Sequence, residues 1–371
     1  MALVKTRKWT TKQGENREAW IVDYTDQHGK RRLKTFARKK EADAFLVQAR
    51  HEVKLGTHTP ASTSKTLEET WRLWIEDSEA NGLERSTLRQ RQQHIVHHVG
   101  PFLGGLKLSD LSAPVVYQFD SDLREAGRSL QMRKKVLMNL KTCISFAQNR
   151  GLVAQNAARG VRIKGGEREA TTGPLRPGVD FPTMAELNTL IDNATGRFRP
   201  FIVTAIFTGM RLSELRGLRW ADVDLDAGVI HVRQRANAWG TMGPPKSRAG
   251  KRDIPLAPIV INTLRAWRAQ GIISDLVFPS RGGRPQPMSN IRRRHWEPLL
   301  AKCGLKYRFH VLRHAAASLF IAHLRWQPKR IQTVMGHASV SMTYDLYGHL
   351  FEDRAADRAD MARLEAAMRV A

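Results

Sequence analysis

Residues 228–257 read GVIHVRQRANAWGTMGPPKSRAGKRDIPLA, and their reading decides between an all-helical chain and a mixed one. GVIHVRQRA and KRDIPLA alternate apolar and polar residues with the period that lays a strand half-buried on a core. WGTMGPPKSRAG between them is rich in Gly and Pro and has to turn. A small antiparallel element is therefore predicted here. On either side the pattern is helical: TGMRLSELRGLRWADVDL before it and FHVLRHAAASLF after it bring Leu or Ala back to one face at intervals of three and four.

Further upstream, IKGGEREATTGPLRPGVDFP is rich in Gly, Pro and charge and reads as a linker. Before it, four amphipathic helices are expected, marked by Leu67, Trp71, Trp74 and Ile75, by LRQRQQHIVHHV, by APVVYQFDSDLREAG, and by the basic SLQMRKKVLMNLKTCISFAQNRG. Its Arg133, Lys134 and Lys135 are candidate DNA contacts. His94, His97 and His98 lack a nearby fourth ligand and read as surface or DNA-facing histidines, not a metal site. THTPASTSK is a second linker, and ahead of it AWIVDYTD and RRLKTFA form a hairpin followed by a helix over KKEADAFLVQARHEVKLG. The basic edge here, with Lys30, Arg31 and Arg32 foremost, suits a DNA-reading sheet, since strands can enter a groove. A solvated charged face accounts for the same residues.

The fold expected is thus multidomain α+β. A small β-sheet plus helix covers 1–60, an all-helical domain 65–165, and a mainly helical domain with a small antiparallel sheet 180–371.

Sixty-one Lys and Arg against thirty-five Asp and Glu give the 371-residue chain a formal charge of +26, which points to a polyanionic partner, nucleic acid first. The basic residues are spread along the whole sequence, unlike a membrane-binding helix. No apolar run reaches the ~18 residues of a membrane span, and MALVKTRKWT lacks a secretory core. With two isolated cysteines, Cys143 and Cys303, a reduced cytoplasmic protein is expected.

Three groups carry chemistry. Arg211 stands near a helix start with Glu214 three residues on, a surface ion pair or a phosphate site. His310, Arg313 and His314 share one helix face, where the guanidinium would repel a metal cation but can fork to two phosphate oxygens. MGHASVSMTYDLYGHL (335–350) adds His337, Tyr344 and Tyr347. Two arginines can stabilise a phosphoryl transition state without a metal ion, and there is no P-loop.

RLSEL, the turn holding Lys246, HVLRH, MGH and the final tyrosine, in this order, resemble the signature of the tyrosine recombinase (phage integrase) family. The layout before them resembles phage-type integrases with an N-terminal arm-binding domain. The resemblance implies that Arg211 and Arg313 hold the scissile phosphate, with Glu214 in support. It makes His310 and His337 phosphate contacts that assist proton transfer. Lys246 would protonate the leaving 5′ oxygen, preferred over Lys251 for its offset from Ile254-Pro255-Leu256. Tyr347, which precedes Gly348-His349-Leu350, is implied as the nucleophile over Tyr344.

The product would be a 3′-phosphotyrosyl bond, with no cofactor or ATP needed to rejoin the strand. The implied partners are double-stranded DNA attachment sites of core and arm type and three further copies in a homotetramer. A host DNA-bending factor and a directionality factor are further partners the family admits. A Xer-like or transposon recombinase has the same chemistry, and an inert DNA-binding regulator or a relaxing topoisomerase is the competing class. The apolar stripe Met361, Leu364 and Met368 is expected to dock a terminal helix on its own or a neighbouring protomer.

Overall fold

The computed structural model describes residues 3–10, 16–56, 58–165, 175–351, 361–363 and 365–368. The chain divides into two compact units, Met1–Thr171 and Thr172–Ala371. Among the described residues no helix is long and apolar enough to cross a membrane.

In the first unit β1 (Leu3–Thr10), β2 (Asn16–Thr25) and β3 (Arg31–Phe36) form an antiparallel sheet in that order. The register sets Val22 against Val4 and Lys34, and Trp20 against Thr6 and Phe36. Trp20, Val22 and Tyr24 thereby share the face that packs on α1 (Lys39–Lys54) through Ala42, Phe45 and Ala49. At the β2–β3 turn the buried Asp26 carboxylate accepts from the backbone N–H groups of His28 and Lys30 at 3.0 and 2.9 Å. It also accepts from Arg32 Nε at 2.7 Å. Arg32 is therefore a brace of the turn and not the free DNA contact expected; Lys30 stays exposed, and exposed Arg31 pairs with Asp23.

The segment after α1, expected as a linker, is tied down. His58 is buried, with Nε2 2.7 Å from Tyr24 Oη and Nδ1 2.8 Å from a Glu52 carboxylate oxygen, and Thr59 Oγ1 accepts the Ala154 N–H. Then α2 (Leu67–Ala80) starts in a capping box of Thr66 and Glu69. α3 (Arg85–His94) runs through a π-turn into α4 (Gly100–Leu103), and α5 (Ala113–Glu125) and α6 (Leu130–Asn149) follow. Trp71, Trp74, Leu123, Val136, Leu140 and Ile144 fill the core between them. His94 and His98 are buried, not surface residues, and His94 Nδ1 accepts from the Asn139 amide. Arg133, a candidate DNA contact from the sequence, lies on the inward stripe of α6, 2% exposed and 3.0 Å from Asp120, so it is withdrawn from the surface; Lys134 and Lys135 are exposed.

The second unit carries α7 (Met184–Asn193), α8 (Phe198–Thr208) and α9 (Leu212–Arg216), then strands β4 (Val223–Asp224), β5 (Val229–Val232), β6 (Arg235–Ala236), β7 (Met242–Gly243) and β8 (Arg252–Pro255). α10 (Pro258–Arg268), α11 (Met288–Asn290), α12 (Glu297–Cys303), α13 (Val311–Ala322), α14 (Pro328–Met335) and α15 (Val340–Tyr347) follow. GVIHVRQRA, expected as one strand, changes partners midway. β5 pairs with β4 and β8, whereas β6 pairs with β7. Between them Gln234 donates to the Gly217 carbonyl, and Gly217 lies so close that a Cβ on it would meet the Ala236 nitrogen at 2.7 Å.

α8, apolar on all sides, is buried nearly throughout, as such a helix must be. Phe181, expected at the tail of a linker, is 2% exposed and belongs to this core. At the C-terminus 361–363 and 365–368 are helical with Met361 and Met368 exposed, and Leu364 lies outside the described residues.

Candidate active site: guanidinium groups around a buried tyrosine

Four parts of the second unit meet around the turn after α14. Arg211 is the residue before α9; its backbone N–H donates to Glu214 Oε2 at 2.9 Å and its Nη1 to Glu214 Oε1 at 2.8 Å. The pair read from RLSEL as a surface ion pair is present but not at the surface: Glu214 is buried and the Arg211 side chain is one-third exposed. Nη2 of Arg211 donates to the Gly336 carbonyl at 2.8 Å, joining α9 to the turn that carries His337.

Arg313, on the first turn of α13, is 5% exposed. Its two terminal nitrogens donate to the carbonyls of Gly209 (2.7 Å) and Met335. Each of these two arginines gives two of its guanidinium N–H groups to these protein acceptors, and a guanidinium has five, so donors remain for a phosphate. Burial, then the charges of Arg211 and Arg252, pulls Arg313 down to about 9, which leaves it protonated at neutral pH.

Arg252 was not expected in the site. It opens β8 on the same inward face as Ile254 and is buried with it. Nη1 and Nη2 form a fork on the two Glu214 oxygens at 3.1 and 2.9 Å, while Nε donates to the Val334 carbonyl at 2.6 Å. Burial alone would raise Glu214, but the hydrogen bonds and charges of Arg252 and Arg211 outweigh it and hold the carboxyl down at about 2. Three guanidinium groups against one carboxylate leave a positive surplus in a dry site. An anion would satisfy it.

His337 is 4% exposed, with Nδ1 2.9 Å from Thr343 Oγ1. Burial first, and then Arg313 and Arg211, lowers it to about 3, so the ring is neutral. His310 stands exposed at the mouth before α13, and is lowered by partial loss of solvent and by the neighbouring Arg313 and Arg211.

Tyr347 is 1% exposed; its hydroxyl lies 2.7 Å from His314 Nδ1. Burial raises its pKa above the usual phenol value, and the Arg313 charge works in the other direction. Tyr344 is 52% exposed and rests on Phe351, ring centroids 5.8 Å apart. Three residues apart on a helix, the two tyrosines would point in similar directions. They diverge because α15 ends at Tyr347, where φ −131° and ψ 6° leave helical geometry. His349 Nε2 binds the Leu175 carbonyl at 3.1 Å and takes no part in the cluster.

Lys246 is exposed on the loop after β7, and Lys251 is exposed too. The far side of that loop touches the site, since a Cβ on Gly336 would come 2.9 Å from the Ala249 carbonyl. The structure brings together Arg211, Glu214, Arg313, His337 and Tyr347, and adds Arg252 and His314; Lys246 is held only by its loop.

Residues 181–354 match the model of the phage integrase family, and residues 66–123 that of the phage integrase N-terminal SAM-like domain. The prophage integrase IntR of Escherichia coli K12 is 23% identical over 269 residues, 66% of this chain and 63% of that protein. The chain thus spans less than two thirds of that relative. A XerC-like tyrosine recombinase of Caldanaerobacter subterraneus subsp. tengcongensis is 23% identical over 359 residues, 88% of this chain and 90% of the relative. Among solved structures, a lambda integrase tetramer bound to a Holliday junction is similar with a TM-score of 0.58 at 18% identity, covering 90% of this chain and 96% of that one. Two family models in consecutive order over more than half of the sequence, the second enclosing the guanidinium cluster and Tyr347, establish that the chain belongs to the phage integrase family of tyrosine recombinases.

Proposed function

We propose that this recombinase is an integrase that inserts and excises a phage or other mobile element by cutting and rejoining double-stranded DNA through Tyr347. The observation that carries the reading is the Tyr347 hydroxyl buried beside Arg313 within a net-positive cluster. Arg211 and Arg313 bind the non-bridging oxygens of the scissile phosphate, held in place by Glu214 and by backbone carbonyls. The phenol oxygen attacks phosphorus, and the 5′ oxygen leaves with a proton from Lys246. His310 at the mouth and His337 beneath it steady the phosphate. The phosphotyrosyl bond conserves the energy of the phosphodiester, so the free 5′-hydroxyl of another strand reverses the step.

In this reading residues 1–60 contact arm-type sites, using Lys30 and Arg31, and the helical domain over 65–165 contacts core-type sites with Lys134 and Lys135. Four copies assemble on two DNA segments. The lambda integrase tetramer on a Holliday junction supports that assembly by likeness of fold. Host bending and directionality factors belong to the same proposal, as does a cytoplasmic place of action. Likeness to a XerC-like recombinase favours a second reading, resolution of two identical sites by the same chemistry. The test is a nicked duplex carrying the core site, incubated with wild type, Tyr347→Phe and Tyr344→Phe. A covalent protein–DNA band from wild type and Tyr344→Phe only is the expected result; an adduct from Tyr347→Phe refutes the assignment. Joining of two unlike sites separates integrase from resolvase.

A further inference from the structure

Among the described residues of this site, one side chain touches the reacting atom, and none of the roles set out above uses it. His314 Nδ1 lies 2.7 Å from the Tyr347 hydroxyl, with ring centroids 6.0 Å apart. The same ring meets His310 edge to face at 5.3 Å, and His310 opens to solvent. A buried phenol needs such a neighbour. Desolvation makes spontaneous ionisation of Tyr347 rarer than the roughly one part in a thousand of a free tyrosine at pH 7.

Burial, then His310 and Arg313, lowers His314 to about 4, so at neutral pH its ring is uncharged and Nδ1 can hold a lone pair toward the phenol. The charged and titratable groups around it are His310 at the start of its helix and Arg313 on it, His337 in the turn after α14, Tyr347 on α15, and Asp180, which alone favours its protonation.

Resting on the reading that Tyr347 is the nucleophile, we propose that His314 is the general base of strand cleavage. As the phenol oxygen attacks, its O–H bond breaks and an N–H bond forms at Nδ1. The freed electron pair makes the new bond to phosphorus. The bond from phosphorus to the 5′ oxygen breaks, and that oxygen takes its proton from a separate acid, Lys246. On rejoining, the His314 imidazolium returns its proton to the tyrosine oxygen, so the cycle consumes nothing.

The experiment measures the rate of covalent adduct formation on a core-site duplex whose scissile 5′ oxygen is replaced by sulfur. Such a leaving group departs without an acid, which isolates activation of the nucleophile. His314→Ala and His314→Gln are compared with wild type, Lys246→Ala and Tyr347→Phe from pH 6 to 10. Both His314 variants should bind the duplex and cleave about 10²- to 10⁴-fold more slowly at pH 7, the usual worth of a general base. Their deficit should shrink as pH rises, while Lys246→Ala cleaves at the wild-type rate.

Cleavage by His314→Ala within threefold of wild type overturns the proposal. So does full recovery in His314→Gln, which can accept a hydrogen bond but not a proton and would mark a positioning residue. The wild-type profile tests it without any substitution: with His314 already uncharged the rate should stay level from pH 6 upward, and a continuous tenfold rise per pH unit to pH 10 would overturn it. An adduct from Tyr347→Phe would instead refute the reading beneath.

Discussion

Glu214 is the residue on which the two arginine groups balance. It is buried, and both its oxygens are held twice, by the backbone N–H and Nη1 of Arg211 and by the fork of Arg252. Removing one partner of a buried ion pair costs about 3–5 kcal/mol, because the other charge stays without water. Arg252→Ala should therefore lower stability by about that amount in urea unfolding, and Arg252→Lys should recover only part, since a point charge cannot span both oxygens. An unchanged midpoint for Arg252→Ala would show that Arg211 alone suffices. In sequence, Arg211 and Glu214 were legible from their three-residue spacing and Arg313 from its place on a helix face. Arg252 was not, although it shares the alternation of Ile254 on an inward strand face. Its partner is distant in the chain, and a buried arginine has no local signal until that partner is known. The contact between His314 and Tyr347 was hidden for the same reason.

At the scale of elements, the turn from α14 to α15 gathers the site. Gly336 ends α14 at φ +64° and gives its carbonyl to Arg211. A Cβ there would meet the Ala249 carbonyl at 2.9 Å and Arg252 Cδ at 3.0 Å. Gly336→Ala should cost about 1–2 kcal/mol for the left-handed backbone alone, and the displaced Arg211 should slow adduct formation as well. Cleavage at the wild-type rate by this variant would show that the turn does not position the arginine. His337 in the same turn is held neutral, down at about 3. Its folded pKa lies below the unfolded value near 6.5, so the unfolded chain takes up a proton first as pH falls. The stability it contributes is full above that value and declines beneath it. Between pH 7 and 5 the loss should reach about 2 kcal/mol, and His337→Asn should flatten the dependence. Equal pH slopes for the two proteins would remove this role. The small sheet was legible from alternation in GVIHVRQRA and KRDIPLA. The exchange of partners between β5 and β6 was not, because the backbone that packs against β6, at Gly217, comes from a remote helix end and leaves no local signal.

For the molecule as a whole, a charge of +26 has to be read together with where the charges sit. Arg32 and Arg133 looked like surface cations in the sequence, yet each is taken up by an aspartate, Asp26 and Asp120. Composition identified the class of partner, and only packing sorts braces from DNA-facing cations. Arg133→Gln should thus destabilise the first unit and leave the salt dependence of DNA binding unchanged, whereas Lys134→Gln, by giving up one neutralised phosphate, should reduce its slope by about 0.9. The reverse pattern in a filter-binding titration would reassign the two residues. Removal of residues 355–371 should abolish pairing of two sites but not binding to one; complete recombination by the shortened protein would exclude a role for that segment. The chemistry itself is tested most directly by trapping the covalent complex, digesting protein and DNA, and locating the attached nucleotide by fragmentation in a mass spectrometer. Our account predicts a 3′-linked nucleotide on Tyr347; a nucleotide on Tyr344 or any other side chain would contradict it.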